Sequence, residues 1–239
     1  MRSSGVRQST PVSQNLRELW WLAGCLVLIF ILARLTPLDH ALTAVFYDPA
    51  ARTFPLRDET FWAVIMHSGL KYLSVALWFA LLAAWLGLRR RPWWQQYHRS
   101  AGFTLLVAPL AALTVSSLRT LSGHSCPWEL TLYGGTAEYF RFFDAVPLNP
   151  GSGRCAPSGH AASGFAWLTA YIALRGVNLT KARITLAFSL SLGVLTGLTQ
   201  LARGAHFLSH VLLTAWICFA VAWACHWAWK KRESRARSM

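Results

Sequence analysis

The 239-residue chain is 54% hydrophobic and only 13% charged, with a formal net charge of +14, a composition outside the range of soluble domains. A basic excess of that size suggests nucleic acid only where the charge gathers independently of the apolar runs; here it follows them, which excludes that partner. What remains is an all-α, polytopic membrane protein.

Residues up to Gln14 are polar and read as a flexible N-terminal tail. Six apolar runs follow: Leu19 to Leu35, Lys71 to Leu88, Ala101 to Leu118, Ala161 to Leu174, Ile184 to Ala202 and Phe207 to Trp229. Most approach the roughly 20 residues a hydrocarbon core requires, and the fourth needs its flanks to do so. Trp20 and Trp21 mark the interface where the first run enters. That run lacks a small-residue cleavage site and is followed by others, so it reads as a retained helix rather than a secretory signal.

Between the first two runs, Phe61 to Ser68 is expected to lie along the interface as a short amphipathic helix, with no chemistry assigned to it. The link RRRPWWQQYHRS reads as an interfacial anchor. The longest interspan segment, Arg119 to Ser158, is rich in turn formers, and loops of this length tend to be functional. No internal repeat appears; the whole of 1–239 reads as one membrane-embedded domain, with tails at 1–14 and at 230–239, the latter basic.

Basic residues before the first run (Arg2, Arg7, Arg17) and between the second and third (Arg89, Arg90, Arg91, Arg99) fall on one side of the alternating spans. Those between the fourth and fifth (Arg175, Lys181, Arg183) and after the sixth (Lys230, Lys231, Arg232, Arg235, Arg237) complete a set of fifteen of the 23 Lys and Arg on that side. Seven of the nine acidic residues lie in the opposite loops. This positive-inside pattern places both termini in the cytoplasm, where anionic lipid headgroups are the expected partner of the charge.

The same topology sets Arg119, His124, Arg154, Ser158, His160, Arg203, His206 and His210 on the extracytoplasmic side, near the mouths of spans three to six. Ionisable groups at that depth are costly unless they share a cavity, so a polar site there is the default reading. GRCAPSGH (153–160) and RGAHFLSH (203–210) each set histidine beside small residues with an arginine within reach. Gly and Ser admit a tetrahedral anion to the backbone, and Pro157 stands where a helix can start with its first N–H groups aimed at phosphate.

These motifs resemble those of the type 2 phosphatidic acid phosphatase superfamily of membrane lipid phosphatases and phosphotransferases. The second motif is complete as Pro157, Ser158, Gly159 and His160. In the first, Arg119 takes the lysine position, Cys126 the arginine position, and Pro127 matches. In the third, Thr199 and Gln200 stand where Ser-Arg is expected, His206 at the histidine and His210 at the aspartate. The resemblance implies that His206 attacks phosphorus to give a phosphohistidine and that His160 protonates the departing alkoxide. It implies that Arg119, Ser158 and the amides of Gly159 and His160 hold the phosphate oxygens. No metal or other cofactor is implied.

Two cradle arginines are absent, and Arg203, one helical turn past Gln200, is the expected replacement, with Arg154 and His124 as further substitutes. His210 is expected to accept a hydrogen bond from His206, so that its protonation stops the reaction as pH falls through about 6.5. The i, i+4 pair His206 and His210, completed by His124 or His160, also suits a metal. Cys126 and Cys155, each beside a motif on the extracytoplasmic side, can pair there or stand as two independent small residues. Cys25, Cys218 and Cys225 lie within spans and read as packing.

The expectation is a six-helix enzyme of the inner membrane of a bacterium, with its catalytic loops facing the periplasm. It would hydrolyse or transfer a phosphate or pyrophosphate group on a lipid such as phosphatidate, undecaprenyl pyrophosphate or lipid A. A non-catalytic lipid-phosphate binder and a lipid transporter or scaffold are the alternatives, and the sequence leaves the oligomeric state open.

Overall fold

The computed structural model describes residues 11–237, so most of the expected N-terminal tail lies outside the described residues. The chain forms α1 (Pro11–Leu35), α2 (Leu38–Ala44), α3 (Phe61–Gly87), α4 (Pro92–Thr120), α5 (Ala162–Phe165), α6 (Leu168–Leu174), α7 (Leu179–Ala202) and α8 (Leu208–Arg237). α8 carries the basic C-terminal stretch on as helix to Arg237.

Five helices are long and apolar enough to cross a bilayer among the described residues: Leu16–Leu35, Phe61–Gly87, Pro92–Thr120, Leu179–Ala202 and Leu208–Ala236. Phe61 to Ser68 is not a separate interfacial helix. Residues Phe61–Gly69 are π-helical and run without a break into Leu70–Gly87, so the second span begins ten residues before its expected start. The fourth apolar run is the exception in the other direction. It folds as two short helices within Ala162–Leu174, and at about 1.5 Å per residue these fall short of a hydrocarbon core of about 30 Å.

That short pair is nevertheless the centre of the bundle. α6 packs on α4, α7 and α8, and α5 on α7 and α8. The core gathers Ala161, Ala162, Phe165 and Leu168 against Ala111, Val115, Val211 and Cys218. Without a hydrophobic drive between helices in lipid, close approach and polar contacts must hold such a bundle. A Cβ on Gly164 would sit 2.2 Å from the Gly193 nitrogen, and one on Gly193 would sit 2.4 Å from the Phe165 ring. Only glycine at both positions lets α5 meet α7 backbone to backbone. Beside this contact Ser189 Oγ donates to Gly164 O at 3.0 Å, and where α4 meets the end of α6 Ser100 Oγ donates to Ala173 O at 2.9 Å.

At one end of the bundle Arg175 pairs with Glu18 at 2.6 Å, and Trp223 Nε1 donates to the same carboxylate. This gathers the start of α1, the residue after α6 and the later turns of α8. The loops 36–60, 119–158 and 203–207 form the opposite end. They have a small core of their own, in which Phe54, Leu130, Tyr133, Ala137 and Phe207 are buried.

Candidate functional site

The long loop between α4 and α5 is ordered by its own hydrogen bonds. Ser125 Oγ donates to Pro150 O at 2.7 Å and accepts from Gly153 N at 2.9 Å. Glu129 accepts from Cys126 N at 2.9 Å and from Ser152 Oγ at 2.6 Å. Gly153 has φ +63, and a Cβ there would lie 2.7 Å from Ser122 O, so glycine alone lets 150–155 lie against 122–126. Cys126 and Cys155 are joined by a disulfide, Cα atoms 5.1 Å apart.

This packing delivers the groups expected to hold phosphate. Arg119 Nε donates to Arg154 O at 2.7 Å, which leaves the terminal guanidinium nitrogens to an anion. A Cβ on Gly159 would lie 3.6 Å from Arg119 Nη1, so the guanidinium rests against the PSGH backbone. Ser158 is fully buried, and its Oγ has no partner among the described residues. The helix does not start at Pro157. α5 begins at Ala162, and residues 157–161 are a loop that ends in a turn over 159–161 and shapes the site. Ser158 N is spent on His210 O at 3.2 Å.

Arg203 stands just past the end of α7, 8% exposed, its Nε donating to Arg57 O at 2.8 Å. It is close enough to His160 to oppose its protonation. The Arg154 side chain is exposed, and that residue serves through its carbonyl. His124 stacks on Phe140, centroids 4.3 Å apart, and joins His210 around a separate small cavity of about 20 Å³. It is not gathered with Arg119 and His160.

His206 is 4% exposed. Burial first, then His210, His160 and Arg119, hold its imidazole well below the usual range, so it stays neutral. Burial, and then His67 and the cationic Lys71, Arg119 and Arg203, push His160 down to about 3. The expected bond from His206 to His210 does not form. His206 Nδ1 lies 3.3 Å from Cys155 Sγ, while the two histidine rings stand 5.9 Å apart and at 71°. A disulfide sulfur has no hydrogen to give, so Nδ1–H is the donor and the Nε2 lone pair is left free. His210 Nδ1 is buried without a partner among the described residues.

The histidine metal site is corrected by the same geometry. His206 precedes α8, so it does not share a helix face with His210. Among the described residues, three candidate ligand atoms within 4.8 Å of one another occur at Cys126, Cys155 and His206, and the two sulfurs there are bonded to each other.

A groove of about 590 Å³ opens between α3, α4 and α5–α6, with Lys71, Arg119, Gly159 and His160 at its head. Val75, Trp78, Ala108, Ala112, Ala166 and Trp167 form its apolar walls. A second groove of about 420 Å³ continues past Trp167 toward Tyr97 and Lys181. Trp167 is fixed between them, Nε1 donating to Ser74 Oγ at 2.9 Å, which donates to Ser163 O at 2.6 Å.

The PAP2 superfamily model matches residues 99–234, more than half of the chain. The chain belongs to the PAP2 superfamily.

As a PAP2 fold, the molecule is similar to the crystal structure of a transmembrane PAP2 type phosphatidylglycerolphosphate phosphatase from Bacillus subtilis. The TM-score is 0.53 at 17% identity, over 88% of this chain and 96% of that one. No curated protein sequence matches the chain. With this PAP2 fold and its apolar helices, the protein is an integral membrane protein of phosphatase-type architecture.

Sequence reasoning missed two residues that the fold brings close to His160, His67 and Lys71, both on α3. The signal was present. An ionisable side chain inside an apolar membrane segment is a functional candidate by default, and His67 lies in the stretch to which no chemistry was assigned.

Proposed function

We propose that the protein hydrolyses or transfers a phosphate or pyrophosphate group of a membrane lipid through a phosphohistidine on His206, without a metal. The observation that carries this reading is the groove. Its head is cationic and holds His160, its walls are apolar and lie between membrane-spanning helices, and its volume of about 590 Å³ accommodates an acyl or prenyl chain entering sideways.

In this mechanism Arg119, Ser158 and Arg203 hold the non-bridging oxygens. The neutral His206 attacks through Nε2, forming the N–P bond as the P–O bond to the lipid breaks, and the electron pair leaves with the alkoxide oxygen. His160 gives that oxygen its proton. Among its protein neighbours alone His160 is neutral; a phosphate dianion supplies the negative charge that brings a proton to it. Water, deprotonated by His160, or a second lipid then accepts the phosphoryl group and restores His206. The positive-inside charge pattern supports a site at the extracytoplasmic leaflet, in a bacterium the periplasmic face of the inner membrane.

The test is phosphate release from a panel of phosphatidate, phosphatidylglycerolphosphate, undecaprenyl pyrophosphate and lipid A, comparing the parent with His206→Ala and His160→Ala. The expected result is release by the parent, loss in both variants, and ³²P trapped on histidine in the parent alone. Release that survives His206→Ala, or a parent that binds these lipids without cleaving any, would refute it.

A further inference from the structure

His67 belongs to none of the three motifs, yet its ring stacks on that of His160, centroids 3.7 Å apart and planes 34° from parallel. Its Nδ1 lies 2.8 Å from Gln200 Nε2. An amide nitrogen only donates, so Nδ1 accepts and the orientation of His67 is set by Gln200. Gln200 is 2% exposed and sits in the last turn of α7, one of the best-packed parts of the bundle. Among the described residues no hydrogen bond holds the His160 ring itself. Its backbone carbonyl accepts from Ser163, but the imidazole has the His67 face as its aromatic contact.

From these contacts we infer that His67 is the positioning residue of His160, clamped by Gln200 so that the acid is aimed at the leaving oxygen. The inference rests on the lipid-phosphate reading above. It also gives a use to a departure from the family pattern. Where the third motif has an arginine for phosphate, this chain has an amide that holds a neighbouring ring from α3. The π-helical opening of α3 is the segment that presents that ring, and such wide turns recur at functional sites.

The full chain in detergent, with the panel's fastest lipid phosphate, tests it. His67→Ala is expected to lower kcat about 10- to 100-fold, the cost of a displaced general acid, while KM stays within about threefold. Inhibition by orthovanadate, which occupies the phosphate position and needs no leaving-group proton, is expected to be unchanged. The second variant is His67→Phe combined with Gln200→Leu, which keeps a ring against His160 and removes the buried amide that phenylalanine would leave unpaired. Its kcat is expected to recover about tenfold over His67→Ala.

A loss carried by KM, a parallel loss of vanadate inhibition, an unaffected His67→Ala or a double variant no better than alanine each overturns the inference while leaving the proposed function standing. A parent that releases no phosphate sinks both.

Discussion

The disulfide offers the sharpest separation of two roles in one bond. Cys126–Cys155 closes a segment of 29 residues, and confining that segment in the unfolded chain is worth roughly 3.5 kcal/mol by loop-closure entropy. Spread over a domain of this size, that corresponds to a ceiling of roughly 10 °C in thermal midpoint. The sulfur of Cys155 also lies 3.3 Å from His206 Nδ1, and the carbonyl one residue earlier holds Arg119 at 2.7 Å. Cys126→Ala removes the cross-link but leaves a sulfur beside His206, so it should mainly lower the inactivation midpoint. Cys126→Ala with Cys155→Ala removes both and should also cost about 10- to 100-fold in kcat, the scale of a misplaced reacting group. The assay is phosphate release before and after stepwise heating, with the reduced parent alongside. Equal kcat for the single and double variants would refute the link between Cys155 and His206. An unshifted midpoint in both would refute the stabilising role.

Other outcomes follow from single contacts. Gly164→Ala places a methyl 2.2 Å from the backbone of Gly193 and should destabilise the bundle by about 1–3 kcal/mol or more, read as a lowered thermal midpoint. Arg119→Gln removes the charge beside Gly159 and should raise KM and lower kcat/KM by about 10- to 100-fold; an unchanged kcat/KM would remove Arg119 from the phosphate site. Since the pKa of His206 is depressed by burial, its neutral form persists as pH falls below the ordinary value near 6.5. A ring-carbon NMR titration should therefore show no inflection for His206 near pH 6.5, and one at that pH would contradict the burial argument.

Much of the bundle was legible because it depends on local pattern. Apolar run length and the small residues around PSGH are properties of short stretches, and helices obey them wherever they pack. The limits appear where length and partners are decided at a distance. Phe61 to Ser68 reads as an interfacial segment by itself, but it continues the helix of Leu70 to Gly87. The fourth run is too short to span alone and is shielded by α4, α7 and α8.

The chain by itself determined which residue types were at hand: two histidines beside small residues, Arg119, Arg203 and two cysteines on one side of the spans. Tertiary structure decided which atoms meet. It turned His206 toward Cys155, 51 residues away, instead of His210, and joined Gln200 to His67 across 133 residues. Spacing along a sequence restricts neighbours only within a helix turn or a strand pair. Contacts between helices follow from where glycines allow backbones to touch and which buried donors still need an acceptor, and both are settled only when the bundle closes.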